Sequence, residues 1–461
     1  MEMNATKVVK EYFGRYDVIV SAVSTVCVVA FTAYGGVHDM PYLAFIAINT
    51  LICSLMVFSG DFYGHLVNRF ANLFILLFFV IANSQQYGSG TITTSFSIAF
   101  TSSEYLLFQA SVLAILLLFN GTYLYLCRGI GGKNRYRQLR RSQYTKYTVG
   151  GGRLIVVAAT ATICLTAFCS FDIQILFSRN AWDTYGQILS RSGLSPIWLS
   201  VDRVIRPIPA ACLLIALLSQ QKRSTVVALT ILSLIAVFPT GIARNLFASC
   251  WLPVILLVSE RIIPGKIFVC SMLAAMLIIF PMLSIFRYES PANRNIEFGT
   301  ADFNSISYDA SQMMMATIQT DTITGGRQLL GSMLFFVPRS VWSDKPEGSG
   351  HLIAKTNGAK FVNVSMPYFS EGYINFGWAG TAVFTLLLAL GAAAADTRLS
   401  ISPYARGGYW RKGAYLIIAA STFFLLRGSL MSAMAYTLAA LGCFSISMAL
   451  CIRKNPDTFH Q

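Results

Sequence analysis

Apolar residues fall in long blocks, separated by short polar breaks that are mostly basic. Blocks at 17–35, 41–58, 67–83, 104–126, 154–171, 204–220, 224–239, 246–259, 265–285, 376–395, 413–430 and 433–452 predict about twelve helices near the length that crosses a hydrocarbon core, about 20 residues. The blocks at 224–239 and 246–259 are short and read as tilted, broken or partly re-entrant. The pattern predicts an all-α polytopic membrane protein. It divides into an N-terminal membrane region over 1–285, an extramembrane loop over 286–375 and a C-terminal membrane region over 376–461.

Composition supports this. Of 461 residues, 55% are apolar and 12% charged, against about 25% charged in an ordinary soluble domain. That balance excludes disorder. The ten cysteines lie almost entirely inside apolar runs, where they act as small hydrophobes rather than a disulfide framework. The net charge of +15 sits in short inter-helix loops rather than on a soluble domain, so it orients helices and does not mark a nucleic-acid binder. Lys7, Lys10 and Arg15 place the N-terminus in the cytoplasm, and no cleavable signal peptide is evident. Even-numbered spans are then followed by cytoplasmic loops. The 128–153 loop carries Arg128, Lys133, Arg135, Arg137, Arg140, Arg141, Lys146 and Arg153 and no acid, and the 84–103 loop has neither Lys nor Arg. Both termini fall on the cytoplasmic side.

The segment 286–375 is different. It holds seven basic and eight acidic residues, so orientation does not explain its charge, and loops this long usually have a function. Within it, 308–320 is expected to form an amphipathic helix over the membrane domain, with Asp302 or Ser305 as its cap. A second outer segment, 172–203, faces the same compartment. No zinc spacing exists among His38, His65, His351 and His460, and no phosphate-cradling glycine–lysine loop is present.

Candidate chemistry lies in the C-terminal half. In 335–350, FFVPRSVWSDKPEGSG, Pro338 and Pro346 shape the backbone. Arg339 offers a fork suited to phosphate oxygens, and Trp342 a face for a sugar or a headgroup. The plainer alternative is an interfacial tryptophan and a structural Arg339–Asp344 pair. Arg244, in FPTGIARNLF, and Arg427, in LLRGS, sit at outer helix ends, where an arginine is costly unless paired or solvated; snorkelling to headgroups is the alternative. Three such arginines suggest an anionic substrate at the outer face. Arg203 and Arg206 either join them or anchor a helix. His351 and Glu371 are candidate proton acceptors. Solvent exposure is the alternative for the first, and a buried pair or helix-start role for the second. Asp309, Asp344 and Glu347 are further acids, and Tyr308 is adjacent.

The segments PTGIARN, FFVPRSVWSDKP, YFSEGYINFGWAG and LLRGS, in this order, resemble the bacterial O-antigen and oligosaccharide repeat-unit polymerases of the Wzy type. The likeness covers about 238–430, and the N-terminal half is similar only in hydropathy. It implies an inner-membrane glycosyltransferase with a GT-C-like multi-helix bundle and a large periplasmic loop. Such enzymes take undecaprenyl-diphosphate-linked oligosaccharides as donor and acceptor and pass the growing glycan to a new lipid-linked unit. The resemblance assigns Arg244, Arg339 and Arg427 to diphosphate binding. It sets Asp344 and Lys345, with Trp342, in the loop motif, and leaves His351, Glu371 and Arg339 as catalytic candidates. It implies no cofactor and no metal. A chain-length regulator, a flippase and membrane lipids are the implied partners. The rival readings are a lipid-linked oligosaccharide flippase or transporter, an O-antigen ligase and a non-enzymatic scaffold. The long shaped outer loop and the absence of duplicated halves stand against transport.

Overall fold

The computed structural model describes residues 14–89, 99–139, 147–191, 198, 201–275, 309–337, 339–359, 362, 364–400 and 408–454. Helices dominate. Among the described residues, seven are long and apolar enough to cross a membrane: Tyr16–Tyr34, Met40–Phe58, Tyr63–Gly88, Ser102–Arg128, Gly151–Phe168, Tyr368–Arg398 and Leu430–Cys451. The chain is thus an all-α protein with the helices of a multi-pass membrane protein.

The remaining expected spans are shorter or more polar. Proline explains part of this, since it cannot continue a hydrogen-bonded ladder but fits a first turn. Pro207 precedes the Ile208–Leu218 helix, and Pro253 lies in the first turn of Leu252–Ile262. The expected 246–259 span is therefore two pieces, Arg244–Cys250 and Leu252–Ile262. Only Gly265–Ala275 of the expected 265–285 span is described. The Gly408–Arg427 helix carries Arg411, Lys412 and Arg427 near its ends. Lys412 is buried and pairs with Glu260 at 2.7 Å, so this charge is held within the protein. The Ser102–Leu139 helix runs past the expected end at 126 into the basic segment.

Two compact units form from discontinuous stretches of chain. The first comprises Met1–Gly131, Asp302–Thr397 and Thr422–Met434; the second comprises Gly132–Ala301, Arg398–Ser421 and Ala435–Gln461.

In the first unit, Tyr63–Gly88 is the central helix, with 89% of its apolar window buried. It widens into a π-helical stretch over Ile75–Ile81. The Phe79 carbonyl there accepts from Gln109 Nε2 at 2.7 Å, and the same amide reaches Asn83 Oδ1 at 2.9 Å. Tyr42 also donates to Asn83, at 2.8 Å. These bonds satisfy polar groups that lipid would leave bare. The segment from 309 onward is folded rather than loop-like. Met313, Ala316, Ile353, Ala354, Met366 and Ile374 form a buried cluster. The expected 308–320 helix is present as Asp309–Thr320, but residues 310–317 are buried on every side. It does not lie amphipathically on a surface, because its polar side chains turn inward: Ser311 donates to Gln86 at 2.9 Å. Its expected caps, Asp302 and Ser305, lie outside the described residues, as does Tyr308.

In the second unit, strand Tyr147–Val149 pairs antiparallel with Ile452–Lys454. The Arg179–Arg191 helix packs its buried Trp182 with Leu165, Leu176 and Ala236.

Candidate functional site

Three of the motif segments meet in the first unit around one carboxylate. Glu371 is fully buried. Its Oε2 accepts from Ser349 Oγ at 2.5 Å, and its Oε1 accepts from the Leu430 backbone N–H at 3.0 Å. Ser349 opens the helix that follows the KPEGSG stretch, and Leu430 opens the last long helix, directly after the LLRGS turn. A Cβ on Gly348 would lie 3.4 Å from Ser429 Oγ, so the two segments also touch beside the carboxylate. Charge-assisted bonds of this kind are the stronger ones in a dry interior.

The helix bearing Glu371 is broken just beyond it. Phe376 and Gly377 leave helical geometry, and Gly377 has φ 63° and ψ −151°, a region essentially restricted to glycine. The break lets Gly372 and Gly380 approach so closely that a Cβ on either would strike the other's carbonyl. The segment from Thr324 to Leu329 bonds to the groups at the break. Thr324 N–H donates to the Ile374 carbonyl at 2.7 Å, and Asn375 Oδ1 accepts from Leu329 N–H at 2.9 Å. The expected start of the tenth span, at 376, coincides with this break; the helix itself begins at Tyr368.

The 335–345 loop is closed by its own lysine. Lys345 Nζ donates to the carbonyls of Phe335 at 2.7 Å and Val337 at 2.9 Å. Burial, and then the nearby charge of Arg339, hold its ammonium pKa below the usual lysine value. Arg339 is exposed and donates one Nη to the Lys345 carbonyl at 2.7 Å. Asp344 does not pair with Arg339. It pairs instead with Arg327 at 3.1 Å, and both are well exposed, a contact worth about 0.2–1 kcal/mol. Trp342 is half-buried. His351, one turn into its helix, has Nε2 2.6 Å from Glu347 Oε2. Arg427, half-buried, ends its helix three residues before Leu430.

Arg244 begins a helix of the second unit, and its side chain lies outside the described residues, as does that of Asp309. The turn before Arg244 is fixed by Arg206. That side chain is fully buried, with its guanidinium 3.8 Å from the Trp182 ring centroid. It donates to the carbonyls of Ala236 at 2.8 Å, Leu176 at 3.2 Å and Gly241 at 3.2 Å, and pairs with Asp202 at 3.3 Å. Arg206 is therefore a helix anchor. Arg203 is partly exposed, and its place is different: it lines a cleft with Asn245, Ser249 and Tyr436.

Sequence reasoning missed Ser349 and the Leu430 N–H, which are 22 and 59 positions from Glu371; no local signal joins them. It also missed Asp396, which is buried and accepts from the Val67 and Asn68 N–H groups and from Tyr123. An acid followed by basic residues looks like ordinary loop charge. Among the described residues no group of three or more His, Cys, Asp or Glu is placed to hold a metal ion. Comparison with protein-family models, with curated proteins and with solved structures finds no match for the chain.

Proposed function

We propose that this chain is a GT-C-like glycosyltransferase of the inner membrane that polymerises lipid-linked glycan repeat units. It transfers the growing chain from polyprenyl diphosphate to a new polyprenyl-diphosphate-linked unit at the periplasmic face. The observation that carries the reading is the junction at Glu371, where the PRSVWSDKPEGSG loop and the LLRGS turn are tied to one buried carboxylate. Two arginine-bearing segments far apart in sequence are thereby held in one unit, as a multi-oxygen anion requires. The glycan donor, the acceptor and the association with a flippase and a chain-length regulator come from the resemblance.

In this reading the acceptor hydroxyl oxygen attacks the anomeric carbon of the donor glycan. The bond from that carbon to the phosphate oxygen breaks, and its electron pair leaves with the diphosphate. Arg339 and Arg427 stabilise the charge growing there. The hydroxyl proton passes to His351. Its Nε2 lies 2.6 Å from Glu347 Oε2, so Nδ1 is the ring nitrogen assigned to take the proton. Glu371 is a positioning residue, since both of its oxygens are engaged within the protein. Lys345 shapes the loop by gripping two carbonyls, and Trp342 offers its ring to a sugar.

The test is elongation of purified lipid-linked repeat units. Arg339→Ala and Arg427→Ala proteins that fold at parental levels are expected to lose most elongation, and the lysine variants to recover little of it, because an ammonium lacks the planar fork. Parental elongation in both alanine variants overturns the proposal.

A further inference from the structure

The Arg327–Met333 helix is built inside out. A helix on a water-facing surface turns its apolar side to the core. Here Gln328, Gly331 and Ser332 are buried, while Leu330 and Met333 are exposed. The inner face is filled, since a Cβ on Gly331 would strike Pro346. The loop that follows has the same polarity: Phe336 is 68% exposed and Val341 78%. An apolar run of this kind on the outside marks a surface with an apolar partner.

The position of the run identifies that partner. The chain folds back at Gly377. Tyr368 Oη donates to the Phe384 carbonyl at 3.1 Å, and Thr381 Oγ1 to the Phe369 carbonyl at 3.4 Å. Phe376, Gly377 and Trp378 are therefore the apex of a helical hairpin. Its longer limb, residues 378–398, reaches about 31 Å at 1.5 Å per residue, the thickness of a hydrocarbon core of about 30 Å. Val383, Leu387 and Leu390 are exposed along one side of this limb as a lipid-facing stripe. The exposed Trp378 stands at its end, the level where tryptophans gather at a membrane–water boundary.

The inside-out segment is fastened to this apex by the bonds of Thr324 and Leu329. Ile323 and Phe376, both exposed, carry the lipid-facing stripe onto it. Ile323 Cδ1 is 3.4 Å from the place of a Cβ on Gly377, and the Phe376 ring lies against Gly326. Arg327 and Arg339 are exposed on either side of the Leu330–Phe336 run, as cations are where an apolar stretch enters lipid and its charges reach back to the phosphates.

We infer that the 323–341 segment is seated in the membrane interface beside the hairpin apex, with Leu330, Met333 and Phe336 among the acyl chains and Arg327 and Arg339 at the headgroups. Its partner is the bilayer itself. This part of the expected extramembrane loop is then a membrane-embedded element, like an amphipathic helix lying in the plane of the interface. The inference stands on polarity and position and does not depend on the polymerase reading.

The experiment uses the full chain in a cysteine-free background, reconstituted in vesicles of phosphatidylethanolamine and phosphatidylglycerol. Met333→Cys and Phe336→Cys carry an environment-sensitive fluorophore. Iodide quenches it from the water, and nitroxide-labelled acyl chains quench it from the lipid. Val383→Cys is the lipid reference, and the exposed Thr356→Cys is the water reference. Labels at 333 and 336 are expected to follow Val383→Cys, with quenching by the nitroxide lipid several-fold stronger than at Thr356→Cys and quenching by iodide several-fold weaker. A label at Val341→Cys is expected to pass from lipid-quenched to iodide-quenched when Leu330→Ser, Met333→Ser and Phe336→Ser are combined; unchanged quenching there would mean that these side chains do not seat the segment. Iodide quenching at 333 and 336 as strong as at Thr356→Cys would overturn the inference. Protection from both quenchers would put a protein surface, a second copy or another chain, over the face and overturn the lipid.

Discussion

Glu371 is the residue whose replacement separates a structural strut from a proton acceptor. Both of its oxygens are engaged and none of its surface is exposed. Hydrogen bonds to a charged group contribute about 1.5–3 kcal/mol. Ser349→Ala removes one donor and is expected to cost about 2 kcal/mol. Glu371→Ala orphans the Ser349 hydroxyl and the Leu430 N–H and leaves a small void, for about 3–5 kcal/mol. Glu371→Gln keeps the acceptor at Oε1, and its new amide can donate to Ser349 Oγ, so it costs about 1 kcal/mol. The Ser349→Ala/Glu371→Ala double variant should lose less than the sum by about 1–2 kcal/mol, because the shared bond can be removed only once. The assay is equilibrium unfolding in mixed micelles, with glycan elongation measured on the same preparations. A strut predicts that Glu371→Gln elongates near the parental rate while Glu371→Ala loses stability and elongation together. Additive single variants, within about 0.3–0.5 kcal/mol, would refute the bond. A stable Glu371→Gln protein that binds substrates but does not elongate would refute the strut and make Glu371 the base.

Gly377→Ala forces a Cβ into a glycine-only conformation and should destabilise the first unit by about 1–3 kcal/mol in the same unfolding assay; no change would mean that the helix break is not native. Arg206→Leu leaves Asp202 buried with one fewer cation and three carbonyls without a donor, and should cost about 3–5 kcal/mol, read as lost expression or lowered Tm. His351→Ala should slow elongation without changing substrate binding. Glu347→Ala should slow it less, and the double variant should match His351→Ala alone, since Glu347 acts through the imidazole; additive losses would place Glu347 in a separate role.

The legible part of this fold was the part set by local hydropathy. Helices stand near all twelve apolar blocks, because burial in lipid selects continuous apolar sequence whatever its partners. Lengths were less legible where proline interrupts, as at Pro207 and Pro253. The segment from 309 onward hid its core because Met313, Ile353, Met366 and Ile374 are far apart in sequence and meet only in space. The arginines show the limit most clearly. Arg203 and Arg206 are one turn apart and indistinguishable by type, yet one is fully enclosed by carbonyls and the other lines a cleft. Their difference arises from Trp182, Leu176 and Gly241, which no pattern near residue 206 reveals. Arg339, Trp342 and Lys345 were recognisable as a shaped loop from the flanking prolines. That Lys345 closes it, and that Asp344 turns to Arg327, depends on carbonyl positions and on a helix that begins at residue 327.

The pairing of residues 147–149 with 452–454 constrains how often the chain crosses a membrane. It puts the start of the Gly151–Phe168 helix and the end of the Leu430–Cys451 helix at the same level. The chain that leaves residue 151 and returns at 451 must then cross an even number of times. Among the described residues, three long apolar helices lie in that stretch: Gly151–Phe168, Tyr368–Arg398 and Leu430–Cys451. If these three cross, an odd number of further crossings completes the stretch, and the shorter described segments around 201–218, 223–236, 244–262, 265–275 and 408–427 are the candidates for them. The first is long enough. Residues 201–218 are helical apart from the turn at Arg206 and Pro207, and at 1.5 Å per residue they reach about 27 Å, close to a hydrocarbon core of about 30 Å. With all five crossing, the stretch contains eight spans, the number expected from the hydropathy blocks, and the basic residues flanking the strand pair, Arg153, Arg453 and Lys454, share one side. Cysteine labelling in a cysteine-free background tests this. The exposed Ser343→Cys should react from outside intact cells, and Thr148→Cys and Lys222→Cys only after permeabilisation. Labelling of Lys222→Cys from outside, with Thr148→Cys protected, would mean that the 201–218 segment does not cross and that the odd count is completed elsewhere.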